Sequence, residues 1–197
     1  MGKMRQAGFT LIELMVALTV MAIVLSFAIP SFESIVNGNR LTSAANEMVA
    51  SIQTARMESL RRNRRAVVCL SDAPNATTPA CSGSTSTTGG WITFLDVNAN
   101  GTFDSAGDTL LRTSLLKAPV QVLANGQVLA GKLIVRSDGL AHDNTGTALL
   151  SGTIDVCIPT RRPAENVRHV NIAFGSAISV ASENKNAACG TPSTYTP

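Results

Sequence analysis

The chain has 197 residues and a formal net charge of +3; 45% of its residues are apolar, 15% charged and 4% aromatic. Once an N-terminal helix is set aside, that length leaves one ordinary soluble core and argues against a two-domain enzyme, and the apolar set of Val, Ile, Leu and small residues suits packed strands. The charge excess is too small to mark the whole chain as a nucleic-acid binder, so such a reading needs a local cluster.

The head, residues 1–8, carries Lys3 and Arg5 and no acid, which holds it on the cytoplasmic side and sends the rest of the chain across a membrane. From Phe9 to Phe32 the run FTLIELMVALTVMAIVLSFAIPSF is apolar apart from Glu13 and a few hydroxyls. As a helix it is long enough to cross a hydrocarbon core of roughly 30 Å. A secretory h-region spans only about 7 to 15 residues and ends at an A-x-A site, and no such site follows here. Pro30 is expected to kink or loosen the helix.

Leu41, Ala45, Met48, Ile52 and Ala55 recur at alternating steps of four and three, while Arg40, Asn46, Glu47, Gln53 and Glu58 occupy other faces. This predicts an amphipathic continuation over 33–65 with its apolar stripe lying on a sheet. Arg61, Arg62, Arg64 and Arg65 crowd its end, where cations favour the carbonyl pole of the helix; a binding patch is the alternative reading.

After Arg65 the period changes. Short β-rich runs start at Ala66, Trp91, Thr109, Val120, Lys132, Gly152, Arg168 and Ala177, separated by Gly, Asn, Asp, Pro and Ser. About eight strands with regular turn signals predict an antiparallel sandwich or a bent pair of sheets over 66–197, and the fold class is therefore α+β. Ser82 to Gly90, SGSTSTTGG, reads as a flexible loop.

Cys69, Cys81, Cys157 and Cys189 are widely spaced and form no CxxC pattern, which favours disulfides over zinc in an exported chain. Pairing neighbours in sequence predicts Cys69 with Cys81 and Cys157 with Cys189, one of three possible connectivities. Asp96, Asn98, Asn100 and Gly101 match the opening of a calcium loop, but the twelfth position is Gly107 instead of an acid, so an Asx-capped turn is the main reading and a weak calcium site the minor one. His142 and His169 lie outside any hydrolase or zinc pattern, and neither catalysis nor a cofactor is expected.

The segment from Gly8 to Pro30 resembles the signal of type IV prepilins and type II secretion pseudopilins. It has a basic leader ending in Gly8, Phe9 as the new N-terminus, Glu13 alone in an apolar run, and Pro30 about two-thirds along. The resemblance implies cleavage between Gly8 and Phe9 by a prepilin peptidase, N-methylation of Phe9, and a pilin-like fold held in the inner membrane with its β-rich domain in the periplasm. An acid inside an apolar span is costly and needs a partner; in this family Glu13 would meet the Phe9 amine of an adjoining subunit. The later residues resemble the GspH and FimT/FimU branch: Trp91 opening a strand, the turn from Asp96 to Asp104, and Gly107-Asp108-Thr109-Leu110-Leu111-Arg112.

That branch implies a minor type IV pilin acting in pilus assembly or initiation, with other pilins and an inner-membrane assembly platform as partners, or alternatively a type II secretion pseudopilin. Some FimT-like pilins take up DNA through a G-R-x-R pattern. Here the comparable Gly175 is followed by Ser176, Ala177 and Ile178, so any DNA binding is expected to be weak and to run through Arg161, Arg162 and Arg168, together with His169, or through the Arg61 to Arg65 cluster.

Overall fold

A computed structural model of the chain describes residues 9–125, 128–143, 147–175 and 177–193. The expected leader 1–8, with Lys3, Arg5 and Gly8, lies outside the described residues, as does Ser176.

One helix, α1 (Leu11–Arg62), runs for 52 residues, about 78 Å at the usual rise. It continues through Pro30 without a break in its assignment. All its described side chains from Leu11 to Phe32 are exposed, and Asn37 is the first buried one. Beyond that point the predicted stripe holds: Leu41, Ala45, Met48, Ile52 and Ala55 are at most 1% exposed. The helix stops at Arg62, three residues short of the expected Arg65, because Asn63 takes the left-handed conformation (φ 49°) and the following amide bonds back to the Ser59 carbonyl, a turn Asn tolerates better than most residues.

Arg65 already opens β1 (Arg65–Ser71). The other strands are β2 (Ser86–Thr87), β3 (Gly90–Asp96), β4 (Thr109–Leu115), β5 (Gln121–Ala124), β6 (Lys132–Val135), β7 (Ala141–His142), β8 (Gly152–Cys157), β9 (Val167–Ala173) and β10 (Ala177–Glu183). They form two five-stranded sheets, ordered β4-β3-β1-β6-β7 and β10-β9-β8-β5-β2, with every pairing antiparallel. All eight expected runs are strands.

The strand period of two decides the packing. Ala66, Val68 and Leu70 of β1 join Trp91 and Leu95 of β3, Ile154 and Val156 of β8, Val170 and Ile172 of β9, and the α1 stripe in one core. The alternate residues Val67, Cys69, Ile92, Phe94 and Ile134 form a smaller cluster on the other face of the first sheet, closed over by Cys81 and Phe103 from loops. The sandwich and the helix therefore share a single interior.

Both disulfides follow the expected pairing, Cys69 with Cys81 and Cys157 with Cys189. The stretch 82–90 departs from the flexible loop expected of it. Ser86 and Thr87 pair with β5, and Thr87 Oγ1 donates to Asp72 Oδ1 at 2.7 Å. Gly89 and Gly90 sit where any side chain would collide: an added Cβ would fall 2.3 Å from the Asp72 carbonyl oxygen and 2.0 Å from that of Ser114. Composition alone reads this Ser/Thr/Gly stretch as loose, because local sequence does not register that backbone packs against it.

Met48→Ala should lower stability by about 2–5 kcal/mol, since it empties volume shared by helix and sheets, as measured by thermal unfolding of the full chain in detergent. Replacing Cys157 and Cys189 by Ser should release residues 184–193 first, seen as faster hydrogen exchange there than in β1 or β3, at a cost of about 2–4 kcal/mol.

Candidate functional site

From Leu11 to Phe32 the described side chains of α1 have no internal cover. Phe9 is 86% exposed, and Leu11, Leu14, Met15, Leu18, Met21, Leu25 and Phe27 follow it on all sides of the helix. Such a surface demands an apolar environment. Its two hydroxyls already suit one: Thr19 Oγ1 donates to the Val16 carbonyl at 2.8 Å and Ser26 Oγ to that of Ile23 at 2.7 Å. No hydroxyl between Leu11 and Ile29 is left needing water. The segment is long and apolar enough to cross a membrane.

Its start is organised by Thr10, whose extended backbone (φ −79°, ψ 153°) forms the N-cap and whose Oγ1 accepts from the Glu13 backbone N–H at 3.3 Å. Glu13 thus occupies the first turn, where the amide pole of the helix favours a carboxylate. The Thr10-x-x-Glu13 spacing is a capping-box signature, a signal present in the sequence that the reading of Glu13 as a lone acid passes over.

At the opposite end of the exposed segment, two loops grip the helix. The Asn37 side-chain amide donates to the Arg162 carbonyl at 2.9 Å, and Arg40 Nη1 donates to the Ala118 carbonyl at 2.9 Å. Further along, Glu47 Oε1 accepts from Arg112 Nε and Nη2 and from Ser114 Oγ, at 2.9, 2.7 and 2.9 Å, and Trp91 Nε1 donates to Ser51 Oγ at 2.9 Å. These polar ties fix the rotation and height of the helix on β3 and β4. Helical periodicity assigns Glu47 to an outer face and cannot show that the edge strand reaches it.

The remaining residues singled out by the sequence serve mostly local structure. Asp96, 1% exposed, accepts from Arg65 Nε at 2.8 Å, from the Gly101 N–H at 2.8 Å and from the Asn100 N–H at 3.1 Å. Asn98 Oδ1 and Asn100 Oδ1 cap the amides two residues on. That is an Asx-capped turn, and a cation there would compete with an arginine. Arg61 and Arg62 share Glu58, which Arg61 above all holds below the ordinary carboxylate range.

The cations proposed for DNA divide. Arg168 Nη1 lies 3.7 Å from Glu165 and donates to the Glu165 and Val167 carbonyls. His169 points to the other face of β9, between Asp155 at 2.6 Å and Glu183 at 2.9 Å. Burial pushes the Asp155 carboxyl up, against the opposing pull of His169 and Lys185. Alternation along a strand separates Arg168 from His169, so the four residues do not form one patch. Arg161 and Arg162 are exposed, and Arg162 pairs loosely with Glu33 at 3.6 Å.

Two family models match the chain: type II transport protein GspH over residues 44–176, and the prokaryotic N-terminal methylation motif over residues 3–29. No curated protein and no solved structure matches it at a significant level.

The division of the cations gives an expected result for nucleic acid. In a gel shift with the full chain in detergent at physiological salt, duplex DNA should bind no tighter than about 10⁻⁴–10⁻⁶ M, the ordinary range for non-specific contacts. Submicromolar binding abolished by changing Arg161, Arg162 and Arg168 to Ala would make DNA capture the main activity.

Proposed function

The chain belongs to the GspH family, whose members are structural pilin-type subunits of type IV pili or type II secretion filaments, and on that premise we propose that it is a minor type IV pilin acting in the assembly or initiation of a pilus. The observation that carries this reading is α1 itself: one uninterrupted helix, its described side chains bare from Leu11 to Phe32 and packed from Asn37 onward, opening inside a methylation motif. A bare apolar half is unstable in water alone; it suits a membrane before assembly and the helices of neighbouring subunits afterwards.

In the proposed sequence of events, a prepilin peptidase cuts between Gly8 and Phe9, Phe9 is N-methylated, and the subunit waits in the inner membrane with residues 66–197 in the periplasm. Entry into the filament exchanges lipid for helix contacts. Glu13 then meets the Phe9 ammonium of a neighbour; an ion pair formed in that setting offsets the desolvation of both charges and favours one axial register over its slips. A second reading, a minor pseudopilin of type II secretion, draws support from the description of the matched family as a transport protein. DNA uptake draws little, since the Arg168 side chain is only 18% exposed and donates to the Glu165 and Val167 carbonyls.

Intact-mass analysis of protein extracted from a host with an active prepilin peptidase should show residues 1–8 missing and one added methyl; a full-length mass would defeat the assignment. Glu13→Ala should insert into membranes normally yet co-purify less with partner pilins, and undiminished co-purification would remove Glu13 from the docking role. Deleting the gene in its own host separates the two machines: loss of surface pili supports the pilus, whereas retained pili with blocked protein secretion supports the pseudopilin.

A further inference from the structure

The level at which the globular domain meets α1 is set by Asn37 and Arg40, through their bonds to the Arg162 and Ala118 carbonyls. Those bonds bring the loops 116–120 and 159–166 to the foot of the domain, and each carries exposed cations: Lys117 on one, Arg161 and Arg162 on the other. Arg40 adds a fourth from the helix. Against them stand two exposed acids, Glu33 at 3.6 Å from Arg162 and Glu165 at 3.7 Å from Arg168, which leave the four cations in excess. The foot of the domain is therefore a basic collar around the helix.

Helix geometry fixes its height. Asn37 and Arg40 lie five and eight residues beyond Phe32, the last residue of the apolar run, or about 7.5 and 12 Å along the axis. A bilayer's polar layer extends about 5 to 7 Å beyond its hydrocarbon core on each side. The collar thus falls at the lipid phosphates or within a Debye length of about 8 to 10 Å from them.

We propose that Lys117, Arg161, Arg162 and Arg40 form a lipid-facing collar that seats the domain on anionic headgroups of the membrane leaflet from which α1 emerges, before the subunit enters a filament. Guanidinium groups suit phosphate oxygens, to which they donate in pairs, and basic groups beside an emerging helix are drawn to an anionic surface. The collar would hold the domain close to the bilayer, present α1 at a fixed height, and let go when the subunit is lifted out. This rests on the reading of α1 as membrane-spanning.

The full chain is reconstituted into phosphatidylcholine vesicles and into equimolar phosphatidylcholine–phosphatidylglycerol vesicles, and hydrogen exchange is followed by mass spectrometry. Peptides covering 116–120 and 159–166 should exchange at least about fivefold more slowly on the anionic vesicles, the factor expected from one engaged cation. High salt should erase the difference. So should the variant K117Q/R161Q/R162Q, which spares Arg40 and the Arg162 carbonyl that anchor the loops; unchanged exchange in β8 and β9 shows that it is folded. R64Q, just beyond the far end of α1, should behave as wild type.

Equal exchange on both vesicle types by a chain that floats with both would overturn the collar and leave the membrane span standing. Failure to float with either would overturn the span and the collar together. Protection on anionic vesicles that survives K117Q/R161Q/R162Q would also overturn it, as would tight duplex DNA binding lost in that variant, which would assign these cations to nucleic acid.

Discussion

Everything in this molecule depends on one helix lying in two environments. From Leu11 to Phe32 the described side chains of α1 have no protein cover; above Asn37, its stripe from Leu41 to Ala55 is sealed in the core. The lower half gains nothing from the domain's own folding, and the upper half is held chiefly by apolar burial shared with both sheets. Because the helix is continuous, a force or a binding event on the lower half is delivered directly to the interior of the domain.

That coupling requires the helix not to turn or slide in its socket. Apolar burial is poorly directional, and a stripe of Leu, Ala, Met and Ile would tolerate small rotations. The polar ties remove that freedom: Asn37 and Arg40 to loop carbonyls, Glu47 to Arg112 and Ser114, Ser51 to Trp91. They recur along one side of the helix from its entry into the domain to the middle of its buried part. Breaking one would leave a donor or acceptor without its partner, more costly where the group is buried, as at Ser51 and Trp91.

The parts legible in the sequence are those fixed by period and by local chemistry. The 3.6-residue stripe of α1, the eight β-rich runs, the neighbour pairing of the cysteines and the Asx turn after Asp96 each depend on residues close together in the chain. What escaped depends on partners far apart: Glu47 reaches Arg112, Thr87 reaches Asp72, and His169 lies between Asp155 and Glu183. Side-chain type says that such groups seek a partner but not which one. Glu13 is the intermediate case, since its local cap at Thr10 is legible in the spacing while the partner proposed for it lies on another chain.

The arginines show why a small net charge is a poor guide to partners. Averaged over the chain, 16 lysines and arginines against 13 acids leave a formal charge of +3, which resembles an electrostatically neutral surface. The fold sorts them. Arg65 is tied to the buried Asp96 and Arg112 to Glu47, and the largely buried Arg168 donates to the Glu165 and Val167 carbonyls, so these stabilise local structure and offer little to a partner. Arg161 and Lys117 remain at the surface with Arg162 and Arg40, at the level where the bare helix enters the domain. A phosphate-bearing partner is thus read best from position along α1: if α1 spans a membrane as proposed, these cations stand at the height of the lipid headgroups, and a duplex would have to approach the bilayer and share the same few cations with it.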